Sequence, residues 1–127
     1  MAIKCEAAIL IVDDEQYIRD LLQDQLTGLG YKVLLAESGN EAIDIYRAKN
    51  DAIVLVLLDA VMPDMPGQVV IADLRKINPR VKIILMSGYS KEEIPFDIAG
   101  RGVREFIQKP FKMHKLTKMI RDVSAAE

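Results

Sequence analysis

Five short apolar stretches alternate with amphipathic stretches along the chain, and this alternation predicts its secondary structure. The apolar stretches predict five β-strands, at residues 7–12, 33–36, 53–58, 81–86 and 103–107. The third stretch is apolar at every position, which is typical of a parallel strand that is covered on both faces. The alternation of strands with helices therefore predicts an α/β protein with a doubly wound parallel sheet.

Apolar residues at helical spacing predict five helices, one after each strand. The first helix should end at Gly30. The second should run from Ser38 to about residue 49, because Ser38 and Glu41 match a capping box in which each side chain binds the other residue's backbone N–H. The fourth, between residues 90 and 102, should be short or irregular because Pro95 interrupts it.

Length, charge and cysteine content restrict the class of protein. The 127 residues indicate one domain, spanning residues 1–127 with its core at about residues 7–123. Lys and Arg number 17 against 19 Asp and Glu, and no basic run occurs, so nucleic-acid binding is not expected. Cys5 is the single cysteine, and no apolar segment is long enough to cross a membrane, so we expect a cytoplasmic protein without membrane insertion.

Polar residues follow four of the predicted strands, where an open parallel sheet binds its ligands. They are Asp13 and Asp14 after the first strand, Asp59 after the third, Ser87 after the fourth and Lys109 after the fifth. Two carboxylates at ~4 Å repel by about 4 kcal/mol at an effective dielectric constant near 20, so the cluster requires a cation besides the lysine. Carboxylate oxygens in an open site suit Mg²⁺, which readily adds phosphate oxygens to its coordination shell.

This arrangement predicts phosphoryl chemistry, since an Asp carboxylate can itself act as a nucleophile and form an aspartyl phosphate. Asp59 is the best candidate because it stands alone after the central strand, whereas Asp13 and Asp14 form a pair better suited to holding metal. Lys109 and Mg²⁺ would carry the charge of the phosphoryl oxygens, and Ser87 would contribute a hydrogen bond.

Four segments together carry a family resemblance, namely VDDE at residues 12–15, LDAVMPDMPG at 58–67, MSGY at 86–89 and KPF at 109–111. In order and spacing the chain resembles the response-regulator receiver domains of two-component signalling, and most of all the receivers of hybrid sensor histidine kinases. The resemblance implies a flavodoxin-like sheet with strand order 2-1-3-4-5. It also implies a phosphorelay function, in which a partner phosphohistidine, on a histidine kinase or a histidine phosphotransfer domain, donates a phosphoryl group.

The resemblance further implies a role for each residue of the metal site. Asp59 is the phosphoacceptor. Asp14, Asp59 and the backbone carbonyl of Val61 bind Mg²⁺ directly, and Asp13 acts mainly through a water molecule.

Four other residues take roles by the same resemblance. Lys109 contacts the phosphoryl group, and Ser87 binds a phosphoryl oxygen once Asp59 is modified. Phe106 occupies the aromatic switch position, and the Lys109–Pro110 bond is cis. Such a domain is a switch and not an enzyme, although it catalyses its own phosphotransfer and a slow autodephosphorylation.

Simpler interpretations stand beside these roles. The two acids after the first strand could cap the first helix, Ser87 and Lys109 could be ordinary surface groups, and Phe106 could be ordinary core. His114, the sole histidine, is expected at the surface and not as a phosphate carrier. Val61 and Tyr89 stand where other members often carry polar residues, which leaves the lifetime of the phosphoryl group open.

Three other functions compete with the receiver. A haloacid-dehalogenase-type phosphatase also uses an aspartyl phosphate, but its nucleophile ends the first strand as D-x-D. A flavodoxin needs a first loop rich in Ser, Thr and Gly, whereas this loop is acidic. A docking module that works without phosphorylation is the third. The oligomeric state is open, and so is the choice between a stand-alone receiver and a module of a hybrid kinase.

Overall fold

A single parallel sheet with helices on both faces organises the chain. The computed structural model describes residues 7–94 and 102–126. Its five strands pair in the order β2-β1-β3-β4-β5, and every pair is parallel. The elements are β1 (Ala8–Val12), α1 (Gln16–Gly28), β2 (Lys32–Ala36), α2 (Gly39–Lys49), β3 (Ile53–Asp59), α3 (Gly67–Ile77), β4 (Ile83–Ser87), a 3₁₀ turn (Lys91–Glu93), β5 (Val103–Gln108) and α4 (Met113–Ala125). The predicted doubly wound, flavodoxin-like fold is confirmed.

Two apolar layers hold the sheet between its helices. Side chains alternate between the faces of a strand, so Leu10 and Val12 of β1 pack in the layer formed with α2 and α3. Ile9 and Ile11 pack in the opposite layer, formed with α1 and α4. All four side chains are buried. This is why the central strands carry apolar residues on both faces.

The ends of α1 and α2 follow the sequence signals, with one difference. Gly30 has φ +97°, a conformation that favours glycine, and it follows the end of α1 as predicted. Ser38 caps α2, since its Oγ accepts a hydrogen bond from the N–H of Glu41 at 3.1 Å. The Glu41 carboxylate, however, accepts from the N–H of Glu37 at 2.8 Å. The reciprocal half of the predicted capping box was therefore wrong by one residue.

The prediction of five helices is not matched over the described residues, which contain four α-helices and one 3₁₀ turn. The turn begins with Ser90, whose N–H donates to Glu93 Oε1 at 2.8 Å. It ends at Ile94, whose extended conformation (φ −64°, ψ 130°) is the one that a following proline imposes. Pro95 itself and the rest of the predicted fourth helix, residues 95–101, lie outside the described residues. Among the described residues, no helix is long and apolar enough to cross a membrane.

Candidate functional site

Three carboxylates meet at the carboxyl edge of the sheet. Asp59 is the last residue of β3, and Asp13 and Asp14 follow the neighbouring strand β1. One carboxylate oxygen from each residue lies within 4.8 Å of the other two. Asp13 is fully buried and Asp59 nearly so, whereas Asp14 is exposed. The structure thus brings the three predicted acids together, with one of them open to solvent.

Lys109 joins this cluster from the end of β5. Its Nζ lies 2.7 Å from Asp13 Oδ2, 3.2 Å from Asp59 Oδ2 and 3.4 Å from Glu15 Oε1. The backbone holds it there, because the Lys109 N–H donates to the carbonyl of Ser87 at 2.7 Å. One ammonium group therefore faces several carboxylates, which leaves the site with a negative charge.

The position of Asp59 also changes its ionisation. Burial raises the pKa of this carboxyl, and the Asp13 charge adds to the rise. The Val61 N–H, which donates to Asp59 Oδ1 at 3.0 Å, and Lys109 oppose it without cancelling it. Burial opposes the charge on Lys109, but its contacts with Asp13 and Asp59 outweigh burial and raise the lysine pKa. The lysine is therefore charged at neutral pH.

Both carboxylate oxygens of Asp13 have partners inside the protein. Oδ1 accepts from the N–H of Glu15 at 2.9 Å, and Oδ2 accepts from Lys109. The backbone carbonyl of the same residue accepts from Arg19 Nη1 at 2.7 Å. Asp13 thus holds the start of the β1–α1 loop and the lysine, while Asp14 is exposed to solvent.

Ser87 lies at the same edge of the sheet, and Tyr89 and Val61 are the two residues predicted to flank the site. Ser87 ends β4, is buried, and its Oγ accepts from the N–H of Tyr89 at 2.9 Å. Tyr89 and Val61 are 54% and 49% exposed. The backbones of Val61 and Tyr89 thus contact Asp59 and Ser87, while their side chains are largely open to solvent.

Three further residues were singled out from the sequence, namely Phe106, Pro110 and His114. Phe106 sits on β5, half-buried against the core layer of α2 and α3. The Lys109–Pro110 peptide bond is cis, which is the isomer that the resemblance implies. His114 is exposed near the start of α4. None of these positions excludes the role or the simpler interpretation given to it from the sequence.

Sequence reasoning missed three residues that shape the site. Glu15 is a further acid on the lysine, and its place directly after the aspartate pair was a usable signal. Arg19, which binds the Asp13 carbonyl, carries no comparable signal. Asp64 accepts hydrogen bonds from two N–H groups at the start of α2. It lies in the 58–67 segment, but nothing in that segment indicates a contact with α2.

The donor set fits a hard divalent cation. Three carboxylates that approach this closely repel one another, and carboxylate oxygens with room for water are the ligands that Mg²⁺ prefers. The exposed Asp14 offers an oxygen from the solvent side, and Asp59 offers one from the sheet. A lysine beside these oxygens adds affinity for an anion. This edge of a doubly wound sheet therefore has the charges and donor atoms to hold a cation and an anion side by side.

Comparison with known proteins places the chain in a family. A model of the response regulator receiver domain matches residues 9–121. Chemotaxis protein CheY of Thermotoga maritima is 34% identical over 117 residues, covering 91% of this chain and 96% of that protein. Sensor kinase CckA of Brucella abortus is 32% identical over 117 residues, covering 92% of this chain but 12% of the kinase. The chain belongs to the response regulator receiver domain family.

Solved structures of response regulators also resemble this chain. Response regulator TrrA of Thermotoga maritima, in complex with Mg²⁺ and BeF, has a TM-score of 0.80 and 34% identity, covering 92% of this chain and 98% of that one. The chain is thus a receiver domain of two-component signalling, as the motifs predicted. Receivers are switches and not enzymes in general. The phosphatase alternative is not favoured, because the family model and these relatives are receivers and response regulators.

Proposed function

We propose that Asp59 is the phosphoacceptor of this receiver domain and that residues 1–127 form one such domain. The observation that carries the proposal is the acid cluster with its lysine. Asp59 lies at the end of the central strand, with Asp13 and Asp14 oxygens within 4.8 Å and Lys109 Nζ at 3.2 Å. A carboxylate in this place has an oxygen to offer as nucleophile and a positive charge beside it to receive the phosphoryl oxygens.

Mg²⁺ is the cofactor that we propose for this site. Asp14, Asp59 and the carbonyl of Val61 would hold it directly, and Asp13 would act through water. Asp13 is fully buried whereas its neighbour Asp14 is exposed, which supports the direct role for Asp14 and the indirect role for Asp13. When bound, Mg²⁺ supplies positive charge that offsets the carboxylates and the phosphoryl oxygens.

The chain's own residues then carry the transfer. A carboxylate oxygen of Asp59 forms a bond to phosphorus while the bond from phosphorus to the donor imidazole nitrogen breaks, and the imidazole leaves with the electron pair. Lys109 neutralises charge on the phosphoryl oxygens, and the Ser87 hydroxyl donates a hydrogen bond to one of them. For that bond the hydroxyl hydrogen is available, because Ser87 Oγ serves as an acceptor towards Tyr89.

Phosphorylation of Asp59 biases a conformational switch in this proposal. The added charge recruits Ser87 at the end of β4, and Phe106 on the paired strand β5 changes its packing. Hydrolysis of the acyl phosphate by water resets the switch slowly. Val61 and Tyr89, exposed at the mouth of the site, limit the approach of that water.

The proposed phosphodonor is a phosphohistidine on a histidine kinase or a histidine phosphotransfer domain. Receivers occur both nearly alone, as in the CheY relative, and as a small part of a long kinase, as in CckA. Both arrangements suit the same site chemistry. The proposal therefore covers the transfer to Asp59 and leaves the kinase, the signal and the output to separate experiments.

Intact-mass spectrometry after incubation with acetyl phosphate and Mg²⁺ tests this function. We expect one added phosphoryl group in the wild type, none without divalent metal, and none in Asp59→Asn. Asp51→Asn is the matched control, since it removes the same charge at the other end of β3, where Asp51 is exposed. It should accept the phosphoryl group as the wild type does.

Modification that persists in Asp59→Asn would refute the assignment of the acceptor. A wild type that stays unmodified, from acetyl phosphate and from a phosphorylated histidine phosphotransfer domain, would favour the docking module that works without phosphorylation.

A further inference from the structure

The Asp64 carboxylate ties the loop after β3 to the start of α2. Its Oδ1 accepts from the N–H of Gly39 at 2.9 Å, and its Oδ2 accepts from the N–H of Asn40 at 3.0 Å. These are the first two residues of α2, whose N–H groups have no partner within the helix. A single carboxylate therefore satisfies two helix N–H groups that lie 24 and 25 residues away in the sequence.

The same loop is closed at its base. Val61 and Pro66 form an antiparallel bridge, so the chain turns back on itself around Asp64. Gly67, the first residue of α3, lies so close to the Ala60 carbonyl that an added Cβ would be 2.4 Å from its oxygen. The residues from 60 to 67 thus form a short hairpin that begins directly after Asp59.

Close packing supports the attachment of this hairpin to α2. A Cβ on Gly39 would lie 2.6 Å from Met65 Cγ and 2.9 Å from a methyl group of Val70. The helix start and the hairpin therefore touch without space between them. The Gly39 and Asn40 N–H groups also hold the pKa of Asp64 below its usual value, so this carboxylate is charged at neutral pH.

We propose that Asp64 is a positioning residue for metal binding, because it fixes the hairpin that carries the Val61 carbonyl beside Asp59. The inference rests on the proposed function, in which that carbonyl is a Mg²⁺ ligand. Asp64 touches α2 and not the metal, so its effect passes through the backbone of the hairpin. The Val61 N–H already binds Asp59 Oδ1 at 3.0 Å, so a shift of the hairpin disturbs both ligands at once.

Mg²⁺ affinity of three variants, measured by isothermal titration calorimetry, tests the proposal. Asp64→Ala should weaken Mg²⁺ binding by about tenfold, as loss of a supporting outer contact does in other metal sites. The Mg²⁺ affinity of Asp64→Asn should lie between those of Asp64→Ala and the wild type. The oxygen of the asparagine amide can still accept a hydrogen bond from one of the two N–H groups, whereas its NH₂ group can accept none. Glu37→Gln is the charge control, because Glu37 is exposed at the same edge after β2.

Two further readouts separate positioning from a loss of folding. Hydrogen exchange of the Val61 amide should accelerate in Asp64→Ala, while amides in the middle of β1 and β3 keep their protection. Phosphorylation by acetyl phosphate should need more Mg²⁺ but reach the wild-type rate once Mg²⁺ saturates, because the residues of the transfer are intact.

The outcomes distinguish this inference from the proposed function. In one outcome the wild type binds Mg²⁺ and Asp64→Ala binds it as tightly as Glu37→Gln does. That result would overturn the positioning role and leave the proposed function standing. Wild type that binds no Mg²⁺ would overturn the proposed function, and the positioning role with it. A weaker affinity that saturating Mg²⁺ compensates supports both.

Discussion

Removal of the Lys109 charge should destabilise the metal-free protein through repulsion within the acid cluster. Lys109→Met keeps most of the apolar stem and deletes the ammonium group that lies 2.7 Å from Asp13 Oδ2 and 3.2 Å from Asp59 Oδ2. The Lys109 side chain is 15% exposed and that of Asp13 is fully buried, so water replaces the lost charge poorly. Two carboxylates then face each other without a cation between them.

The size of the effect follows from the distances. Two unit charges at the 4.8 Å limit of this cluster repel by about 3 kcal/mol at an effective dielectric constant near 20. Loss of one partner from a buried ion pair costs about 3–5 kcal/mol in general, which agrees with that figure. We therefore expect the free energy of unfolding at neutral pH to fall by about 3 kcal/mol.

The pH dependence identifies the cause. The folded-state pKa of Asp59 is raised, so the folded protein binds a proton there more readily than the unfolded chain. Stability from this group is present at low pH and is lost as pH rises through the folded pKa. Without Lys109 that pKa rises further, so the deficit of the variant should be largest at neutral pH and smaller at acidic pH, where Asp59 is protonated in the folded state.

Urea unfolding followed by far-ultraviolet circular dichroism, in the absence of divalent metal, measures this deficit at both pH values. Lys115→Met, an exposed lysine on α4, is the control for loss of one positive charge. A deficit of the same size at neutral and acidic pH would refute the reasoning, since lost packing and not charge repulsion would then account for it.

Three further changes test other parts of the structure. Asp59→Asn removes one charge from the cluster and should raise metal-free stability by about 1 kcal/mol in urea unfolding; an unchanged or lower value would contradict the repulsion. Gly67→Ala places a Cβ 2.4 Å from the Ala60 carbonyl oxygen, and it should cost at least about 2 kcal/mol in the same assay; a neutral result would show that the hairpin yields. Lys82→Met removes the Nζ donor 3.3 Å from the carbonyl of Ser124, so exchange of the last amides of α4 should accelerate while those of β4 do not change, at a cost of about 1 kcal/mol.

The pattern of apolar residues was sufficient to predict the sheet, because burial on both faces demands long apolar runs and leaves few alternatives. All five predicted strands lie within two residues of their observed bounds. The described part of the predicted fourth helix is a 3₁₀ turn at Lys91–Glu93, which agrees with the short or irregular helix expected before Pro95. Ile94 is extended, as the sterics of a following proline require, so this interruption too could be predicted from the sequence.

The sequence by itself also determined the place of the site. Parallel strands end at one edge, so polar residues after β1, β3, β4 and β5 had to converge there. Only the tertiary structure decided what each one does. Asp13 is buried and Asp14 exposed although they are neighbours, because successive side chains near a strand leave on opposite sides.

The sequence also could not predict the distances between residues that lie far apart along the chain. Lys109 meets carboxylates 50 and 96 residues away, and Asp64 meets helix N–H groups 24 and 25 residues away. The sequence shows which charged residues the chain has and where they stand along it. Their separation and burial set the strength of repulsion and the direction of each pKa shift, and both arise only when the packed layers bring the strand ends and loops together.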